Sequence, residues 1–423
     1  MALICVNLRN LALFILNLSV TLAVAYSTES RQYIRSSYRF SHHHDVDGLG
    51  TVINVLDYGA VGDGEHDDTK AFGQAWDAAC DTPSATLLVP GTKTFLVNNL
   101  VFKGKCEPGL IFQVDGNITA LEDPKDWESK SVWLRFDYLD QFTLTGNGAI
   151  DGNGNKWWDN KSQEKIGKKS SGHRPTAIHL NGCSGVVIKG LLVTNSPKFH
   201  FTLSGCENVK FVGVEIRAPE DSPNTDGIDI FRSTNIQIQD CIIGTGDDCV
   251  ALGNGASDIV IRNLTCGPGH GISIGSLGKE QSKAEVQSVL VDGAKLRATK
   301  NGLRIKTFPG GSGMARDIVF ENVEMVNAKN PIIIDQYYSC SSDSCRKQDS
   351  AVQISNVTFR SISGTSATEA AISLDCTHNK PCTDITFNNV SLALTSGGKV
   401  ISDCQNAKGQ NIGTVIPSGC LAS

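Results

Sequence analysis

The chain has 423 residues, of which 40% are hydrophobic, so it holds enough apolar material for a sizeable core. Its 42 glycines are too few for collagen, and a formal net charge of -6 is too modest for a disordered acidic chain. No stripe of Lys or Arg interleaved with aromatic residues occurs, so we expect no nucleic-acid partner.

The N-terminus has the features of a targeting segment. A mostly apolar run, Leu11–Ala25, follows the positive charge of Arg9 and ends in small residues. This pattern is typical of a secretory signal peptide, which we assign to residues 1–25. Residues 26–50 read as an exposed tail or pro-segment, whose adjacent histidines His42–His44 lack the fixed geometry of a metal site. No later segment is apolar enough to span a membrane, so we expect a secreted protein.

The clearest helix candidate is Asp68–Cys80. Its residues Thr69, Phe72, Trp76 and Ala79 share one face after an acidic start. No comparable helical periodicity occurs in the rest of the chain.

A short alternating pattern recurs eight times from the middle of the chain onward. Each copy has two small or polar residues, an alternating apolar pair, two polar residues and a second apolar pair. The copies begin at Ser184, Glu207, Thr234, Ser257, Gln287, Arg316, Ser355 and Thr383, with successive starts 23 to 39 residues apart.

Units of this length, each with two or three short strands, predict an all-β solenoid. The economical architecture is a parallel β-helix in which strands stack coil on coil. A β-propeller fits less well, because its blades need roughly 40 or more residues. The helix would cap the open N-terminal end of the solenoid, and we expect one β-helix domain over residues 51–423.

Secretion would allow the cysteines to pair. Without Cys5, which the signal would remove, thirteen of the fourteen remain, so at least one is unpaired. Proximity favours five pairs, of which the last is the weakest case: Cys80–Cys106, Cys249–Cys266, Cys376–Cys382, Cys404–Cys420 and Cys340–Cys345. Cys183 and Cys206 stand at equivalent positions one coil apart, where a disulfide or two buried thiols would fit, and we favour thiols. Five Asn-x-Ser/Thr triplets suit a glycosylated protein: Asn117, Asn160, Asn263, Asn356 and Asn389.

Four unusual polar segments follow one another at coil spacing: Asn224–Asp229, Gly246–Cys249, Gly267–Gly275 and Arg304–Lys306. Asp226 and Asp247 are 21 residues apart, and His270 follows Asp247 by 23. Taken singly, each segment could be a surface turn or a solvated strand face. Stacking would place all of them on one wall of the solenoid. Carboxylates one and two coils apart, at roughly 4.8 Å per coil, would span the roughly 6.5–9.5 Å that inverting glycosidases need to admit a water.

The acidic residues predict acid–base chemistry. Adjacent Asp247 and Asp248 can both face a cleft only if the backbone bends, which Gly246 would permit. Repulsion among three close carboxylates should raise the pKa of one enough for it to act as general acid, while the others hold and activate water. Arg304 and Lys306 share a strand face and supply positive charge for an acidic sugar polymer.

At these residues the sequence resembles the polygalacturonases, the family of inverting pectin hydrolases built on a right-handed parallel β-helix. Asn-Thr-Asp, Gly-Asp-Asp, Gly-His-Gly and Arg-Ile-Lys stand in the family's order, and plant members look most similar. Further similarity lies in Tyr58–Gly64, Asp67–Phe72, Gly148–Gly154, Trp157–Trp158, Arg174–Pro175 and Asn195–His200. The resemblance implies inverting hydrolysis of α-1,4-galacturonosidic bonds in polygalacturonate by a cell-wall monomer that needs no cofactor or metal.

The resemblance also implies roles for single residues. Asp247 would be the general acid, assisted by His270, while Asp226 and Asp248 would activate the water. Substrate would be bound by Asn224, Arg304, Lys306, Tyr338 and His200. The family's cysteine directly after the tyrosine is displaced here to Cys340, so Tyr338 is chosen over Tyr337 by its distance from Asp335.

Three other functions compete with this one. A rhamnogalacturonan hydrolase would share the fold and the mechanism, and a pectate lyase would need a calcium site with an arginine base. A β-helix that binds pectin without cutting it would need no catalytic carboxylates. All three aspartates are present, which favours a hydrolase.

Overall fold

The computed structural model describes residues 50–158, 174–341, 345, 348 and 350–422. The predicted signal peptide, the tail up to residue 49 and the glycosylation triplet at Asn160 lie outside these residues. Over the described ranges, no helix has the length and apolarity needed to cross a bilayer.

Thirty-three strands stack in parallel, and every pairing in the described part of the chain links a strand to the coil before or after it. This arrangement is a right-handed parallel β-helix, as predicted. One sheet has eleven strands: Leu100–Lys103, Val132–Asp137, Thr176–Asn181, Phe201–Ser204, Ile228–Phe231, Val250–Leu252, Ile272–Leu277, Asn301–Thr307, Asn330–Asp335, Ala370–Asp375 and Ile401–Gln405.

The other 22 strands form a second, folded sheet. Its strands are Val52–Asn54, Asp63–Asp67, Thr86–Val89, Thr94–Leu96, Ile111–Val114, Asn117–Thr119, Thr143–Thr145, Ala149–Asp151, Val187–Lys189, Leu192–Thr194, Glu207–Val212, Glu215–Arg217, Thr234–Gln239, Ile242–Gly244, Ala256–Arg262, Thr265–Cys266, Lys283–Asp292, Lys295–Arg297, Ser312–Ala328, Gln353–Ser366, Cys382–Leu394 and Ala407–Ile416. Most coils contribute two short strands to this sheet. The 17-residue strand Ser312–Ala328 takes the place of both, because it pairs with Lys283–Asp292 and also with Lys295–Arg297.

The predicted repeat register is confirmed at every copy. Each predicted start pairs with the next along the helix, from Ser184 with Glu207 through to Ser355 with Thr383. The residue after each start is left-handed, with φ between 52° and 64°: Gly185, Asn208, Asn235, Asp258, Ser288, Asp317, Asn356 and Asp384. Gly, Asn and Asp tolerate this conformation best, which explains the small and polar residues that open the pattern.

Apolar side chains stack in ladders inside the solenoid. One ladder adds a single residue per coil and is at most 1% exposed throughout: Ile188, Phe211, Ile238, Ile261, Val291, Phe320, Phe359 and Phe387. Phe320 and Phe359 stack with ring centroids 5.3 Å apart. Because every coil buries its apolar side chains on its neighbours, the interior is one continuous core.

The predicted helix is present as Thr69–Cys80, and Asp68 precedes it. Phe72, Trp76 and Ala79 are buried, and the Trp76 indole N–H donates to the carbonyl oxygen of Lys103 over 3.0 Å. The Trp76 ring lies 4.9 to 6.4 Å from four core rings of the first coils: Phe102, Phe112, Phe136 and Phe142. Shorter helical segments occur at Val55–Tyr58, Asn155–Trp158 and Lys279–Gln281.

All five predicted disulfides are formed: Cys80–Cys106, Cys249–Cys266, Cys340–Cys345, Cys376–Cys382 and Cys404–Cys420. Cys183, Cys206 and Cys241 are free and buried. The preference for buried thiols at Cys183 and Cys206 is therefore confirmed.

Candidate active site

The predicted site residues meet at the N-terminal ends of strands in the eleven-strand sheet. Asp226, Asp248 and His270 each lie two residues before a strand, on three successive coils. Backbone hydrogen bonds hold these coils together: the N–H of Gly227 donates to the carbonyl of Asp248, and the N–H of Cys249 donates to the carbonyl of Gly271, both over 2.9 Å. The stacking expected from the sequence spacing is thus present.

The backbone bends at Gly246 and Asp247, as the adjacent aspartates required. A Cβ atom at Gly246 would lie 1.9 Å from the carbonyl oxygen of Ser222, so only glycine fits this close approach. The Gly246 N–H donates to the Thr225 hydroxyl over 3.0 Å, which ties the bend to the coil that carries Asp226.

Gly246→Ala should therefore lower the free energy of unfolding by about 1–3 kcal/mol, because the new methyl group must displace backbone. The same variant should lose activity, since the bend positions Asp247. Gly73→Ala is the matched control: its nearest atom would be Leu100 Cδ1 at 3.8 Å, and alanine favours a helix interior. Urea unfolding of both variants checks this prediction, and equal stability of the two would contradict it.

Asp248 is completely buried and surrounded by donors. Its Oδ1 accepts from Arg304 at 2.6 Å and from the Ser273 hydroxyl at 2.9 Å, and its Oδ2 accepts from Lys306 Nζ at 2.8 Å. Arg304 Nε also donates to the Ser273 hydroxyl, over 2.9 Å. The two cations predicted to bind substrate are therefore already paired with Asp248, and only 10% of each side chain is exposed.

Asp247 lies at the open side of this cluster. Its Oδ1 is 2.8 Å from His270 Nδ1, and its Oδ2 accepts from the Asn224 amide at 3.3 Å. Arg174 donates to Asn224 Oδ1 and to the Pro223 carbonyl, each over 2.7 Å. Because Arg174 occupies the amide oxygen, the Asn224 NH2 group is turned toward Asp247.

The carboxyl groups differ in their affinity for protons. Burial raises the pKa of Asp226 well above its ordinary value, and the charges of Asp229, Asp247 and Asp248 add to this effect. Burial also raises the pKa of Asp229, with the charge of Asp248 contributing.

The opposite holds for Asp247, the predicted general acid. Burial raises its pKa, but the hydrogen bond and charge of His270, together with the charge of Lys306, outweigh burial and hold the pKa of Asp247 below its ordinary value. The sequence predicts a raised pKa, caused by repulsion, for the general acid. The raised pKa values are instead those of Asp226 and Asp229, and burial is their main cause, with repulsion adding to it.

This difference gives a pH-dependent stability. A raised pKa in the folded state means that the contribution of Asp226 is fully present below its ordinary pKa of 3.8 and is lost as pH rises through the raised value. Asp226→Asn stays neutral, so its stability relative to wild type should increase as pH rises from about 4 to about 8. Urea unfolding over this range is the measurement, and a constant difference would contradict the assignment.

The prediction that His200 binds substrate is wrong, because this side chain is fully buried. Its Nδ1 donates to the Asp226 carbonyl at 3.1 Å, and its Nε2 accepts from the Ser196 N–H at 3.3 Å. Burial lowers the pKa of His200 to about 4, so the ring is neutral near pH 7. His200 supports the backbone of Asp226 from beneath the site.

Tyr338 is brought to the site, next to Lys306, whose Nζ lies 5.3 Å from the centroid of the tyrosine ring. Phe308 packs edge-on against the same ring. Tyr337 instead lines a cavity beside Asp335 and Cys340.

The ligand atoms of Asp247, Asp248 and His270 lie within 4.8 Å of one another, a spacing that a metal ion could use. Asp248 is a poor ligand here, because Arg304 and Lys306 occupy its oxygens and place two positive charges beside any cation. The donor set therefore suits an anionic substrate better than a metal.

Three residues of the site had no predicted role. Ser273 pairs in register with Arg304 and Ala251, so the outward strand positions would have indicated it. Asp229 is 2% exposed, and its Oδ1 has no hydrogen-bond partner among the described residues. Arg174 lies 50 residues before Asn224, which is the two-coil separation of the repeat starts Ser184 and Thr234, so coil spacing would have indicated it.

Together the fold and the site define the class of protein. A solenoid that presents paired carboxylates, a histidine and two cations along one wall has the groups that glycoside hydrolysis requires. Residues 80–415 match the sequence pattern of glycosyl hydrolases family 28. The chain belongs to this family.

Similar proteins agree with this assignment. The chain is 53% identical over 401 residues to a polygalacturonase of Cryptomeria japonica, covering 93% of this chain and 77% of that protein. It is 44% identical to a polygalacturonase of Persea americana, covering 84% of this chain and 77% of that protein. The structure resembles that of the endo-xylogalacturonan hydrolase of Aspergillus tubingensis, with a TM-score of 0.77, 26% identity, and coverage of 88% of this chain and 100% of that chain.

Proposed function

We propose that this protein hydrolyses the α-1,4-galacturonosidic bonds of polygalacturonate with inversion. The observation that carries the proposal is the placement of Asp226, Asp247 and Asp248 on adjacent coils, with Asp247 bonded to His270. The proposal requires the acid and the base carboxyl groups to lie roughly 6.5–9.5 Å apart, so that a water fits between them.

Asp247 is the general acid in this proposal. It is the most exposed of the three, with 18% of its side chain accessible, so it can reach a glycosidic oxygen in the cleft. His270 and Asn224 fix its two oxygens and aim the carboxyl group. A proton delivered by Asp247 would convert the leaving sugar oxygen into a hydroxyl group.

Asp226 holds and activates the attacking water. No described residue donates a hydrogen bond to its carboxyl oxygens, and the side chain is 7% exposed, so these oxygens are available to a water in the cleft. Asp248 acts with it by holding Arg304 and Lys306 in position.

This division of roles needs a proton on Asp247 and none on Asp226, whereas the pKa shifts favour the reverse in the free protein. Because the two groups share a single proton, the pH–rate profile should be bell-shaped. The apparent pKa values of its two limbs then describe the pair and not either residue alone. Substrate carboxylates and the exclusion of water would both raise the pKa of Asp247 and bring the proton to it.

Polygalacturonate suits the charge of the site. The names of the similar plant proteins support this substrate, and Lys306, Arg304 and Tyr338 form the wall along which the polymer would lie. Five disulfides support passage through an oxidising compartment, so we place the protein outside the cell, in the cell wall. We further propose that it acts as a monomer. Four predicted glycosylation sites are exposed: Asn117, Asn263, Asn356 and Asn389.

The test is to incubate the purified protein with polygalacturonate and follow both reducing ends and ultraviolet absorbance. We expect reducing ends without absorbance. Absorbance would indicate a lyase, which forms a double bond. Reducing ends from rhamnogalacturonan alone would indicate that rival substrate, and neither signal with tight binding would indicate a pectin-binding protein.

A further inference from the structure

A second cavity opens beside the catalytic cluster, on the turns that lead into the eleven-strand sheet. Its volume is about 470 Å3, within the range of small-ligand sites. His270 and Gly246 form the wall nearest Asp247, and Lys300 and Lys329 lie on the far side. We refer to it as the flank pocket.

The flank pocket follows the stacking of the coils. The N–H of His270 donates to the Asp247 carbonyl, and the N–H of Lys300 donates to the Gly269 carbonyl, each over 2.7 Å. The N–H of Lys329 donates to the Thr299 carbonyl over 2.9 Å. Lys300 and Lys329 are therefore two and three coils beyond Asp247, or roughly 10 and 14 Å along the solenoid axis.

The two lysines of the flank pocket are free to bind an anion. Both Lys300 and Lys329 are exposed, and within the described ranges neither forms an ion pair. Glu220 is the one acidic residue among those that line the pocket. By contrast, Arg304 and Lys306 are neutralised in part by the buried Asp248, so they retain less charge for a polyanionic substrate.

A buried hydroxyl group also points to a ligand. Thr299 lines the flank pocket and is 2% exposed, yet its Oγ1 has no hydrogen-bond partner among the described residues. A buried polar group without a partner is costly, so such groups are rare unless a ligand or water satisfies them.

We propose that the flank pocket binds the carboxylate of a galacturonate unit on the His270 side of the scissile bond, through Lys300, Lys329 and the Thr299 hydroxyl. Two ammonium groups and a hydroxyl donor match the charge and hydrogen-bonding capacity of a carboxylate. This proposal rests on the proposed function and adds a binding position for that same substrate, which lengthens the cleft toward the C-terminal coils.

The test measures binding without turnover. Hexagalacturonate is titrated by calorimetry into Asp247→Asn and into the same variant carrying Lys300→Gln and Lys329→Gln. Two exposed charge contacts imply a roughly five- to twentyfold higher Kd for the triple variant. Lys189→Gln with Lys399→Gln in the same background removes equal charge from exposed positions elsewhere, and its Kd should stay within about twofold.

Thr299→Val supplies a second readout. Since the hydroxyl has no partner in the free protein, its removal should leave the free energy of unfolding unchanged or raised, while hexagalacturonate binding weakens. An unchanged Kd in both the lysine and the Thr299 variants would contradict the proposal that the flank pocket binds a galacturonate carboxylate. Failure of the wild type to release reducing ends would instead overturn the proposed function, because the binding measurement does not depend on turnover.

Discussion

Asp247→Asn is expected to lower kcat on polygalacturonate by roughly 10²–10⁴-fold, because asparagine cannot deliver a proton to the leaving oxygen. The substitution keeps the size of the side chain and an acceptor oxygen for His270 Nδ1, which lies 2.8 Å from Asp247 Oδ1. We therefore expect KM and the free energy of unfolding to change little. Steady-state release of reducing ends, compared with urea unfolding, measures both effects.

The control for this variant is Asp140→Asn. Asp140 is exposed, and Phe142 stands two residues after it, so the substitution creates no Asn-x-Ser/Thr triplet. It should retain wild-type activity. An Asp247→Asn protein with more than about a tenth of wild-type kcat would contradict the acid role of Asp247, because general acid catalysis contributes at least roughly 10²-fold.

Asp248→Ala is expected to lower the free energy of unfolding by about 3–5 kcal/mol, the usual cost of breaking a buried ion pair. The substitution leaves Arg304 and Lys306 buried, each with only 10% of its side chain exposed, without their counter-ion. It also leaves the Ser273 hydroxyl without its acceptor. Activity should fall as well, since the cations lose their anchor.

Glu285→Ala separates burial from charge in this experiment. Glu285 pairs with Lys283 at 2.6 Å, but both side chains are substantially exposed, at 47% and 71%. Exposed pairs contribute at most about 1 kcal/mol. A loss for Asp248→Ala as small as that for Glu285→Ala would show that the buried charge cluster does not stabilise the fold.

The repeat could be predicted from sequence because each coil obeys the same local rules. Alternating apolar residues fix which side chains enter the core, and a left-handed residue must follow each repeat start. Asn208 and Asp258 satisfy this need in their coils. Register in a stacked solenoid then follows, because a one-residue slip would expose the interior ladder that contains Phe211.

The groups that face the site could be predicted, but their electrostatics could not. Coil spacing brought Asp226, Asp247 and His270 together, whereas the sequence does not reveal which carboxyl group is desolvated. His200 is the last residue of the motif Asn195–His200, which is similar to the family's. Because it is buried, it supports the backbone of Asp226 instead of binding substrate. Arg174 reaches Asn224 from two coils away. Coil spacing places the two residues on one wall, but it does not reveal that the arginine side chain is the one that turns the amide.

The Asp248 cluster and the flank pocket give the two sides of the proposed cleft different tasks. Arg304 and Lys306 are held by a buried carboxylate, so they are rigid and partly neutralised. Lys300 and Lys329 are exposed, and neither forms an ion pair in the part of the chain that the structure describes. A wall held by a buried ion pair suits alignment of the reacting sugar, and exposed, unpaired lysines suit the capture of a polyanion.

The proposed inverting mechanism is tested most directly by the anomeric configuration of the first product. When the protein cleaves polygalacturonate, proton magnetic resonance of the new reducing end during the first minutes distinguishes the two anomers before they interconvert. In the proposed mechanism a water activated by Asp226 attacks the face opposite the leaving oxygen, so the β-anomer should form first. Initial formation of the α-anomer would mean a covalent intermediate on one of the aspartates and would contradict the proposed roles of Asp226 and Asp247.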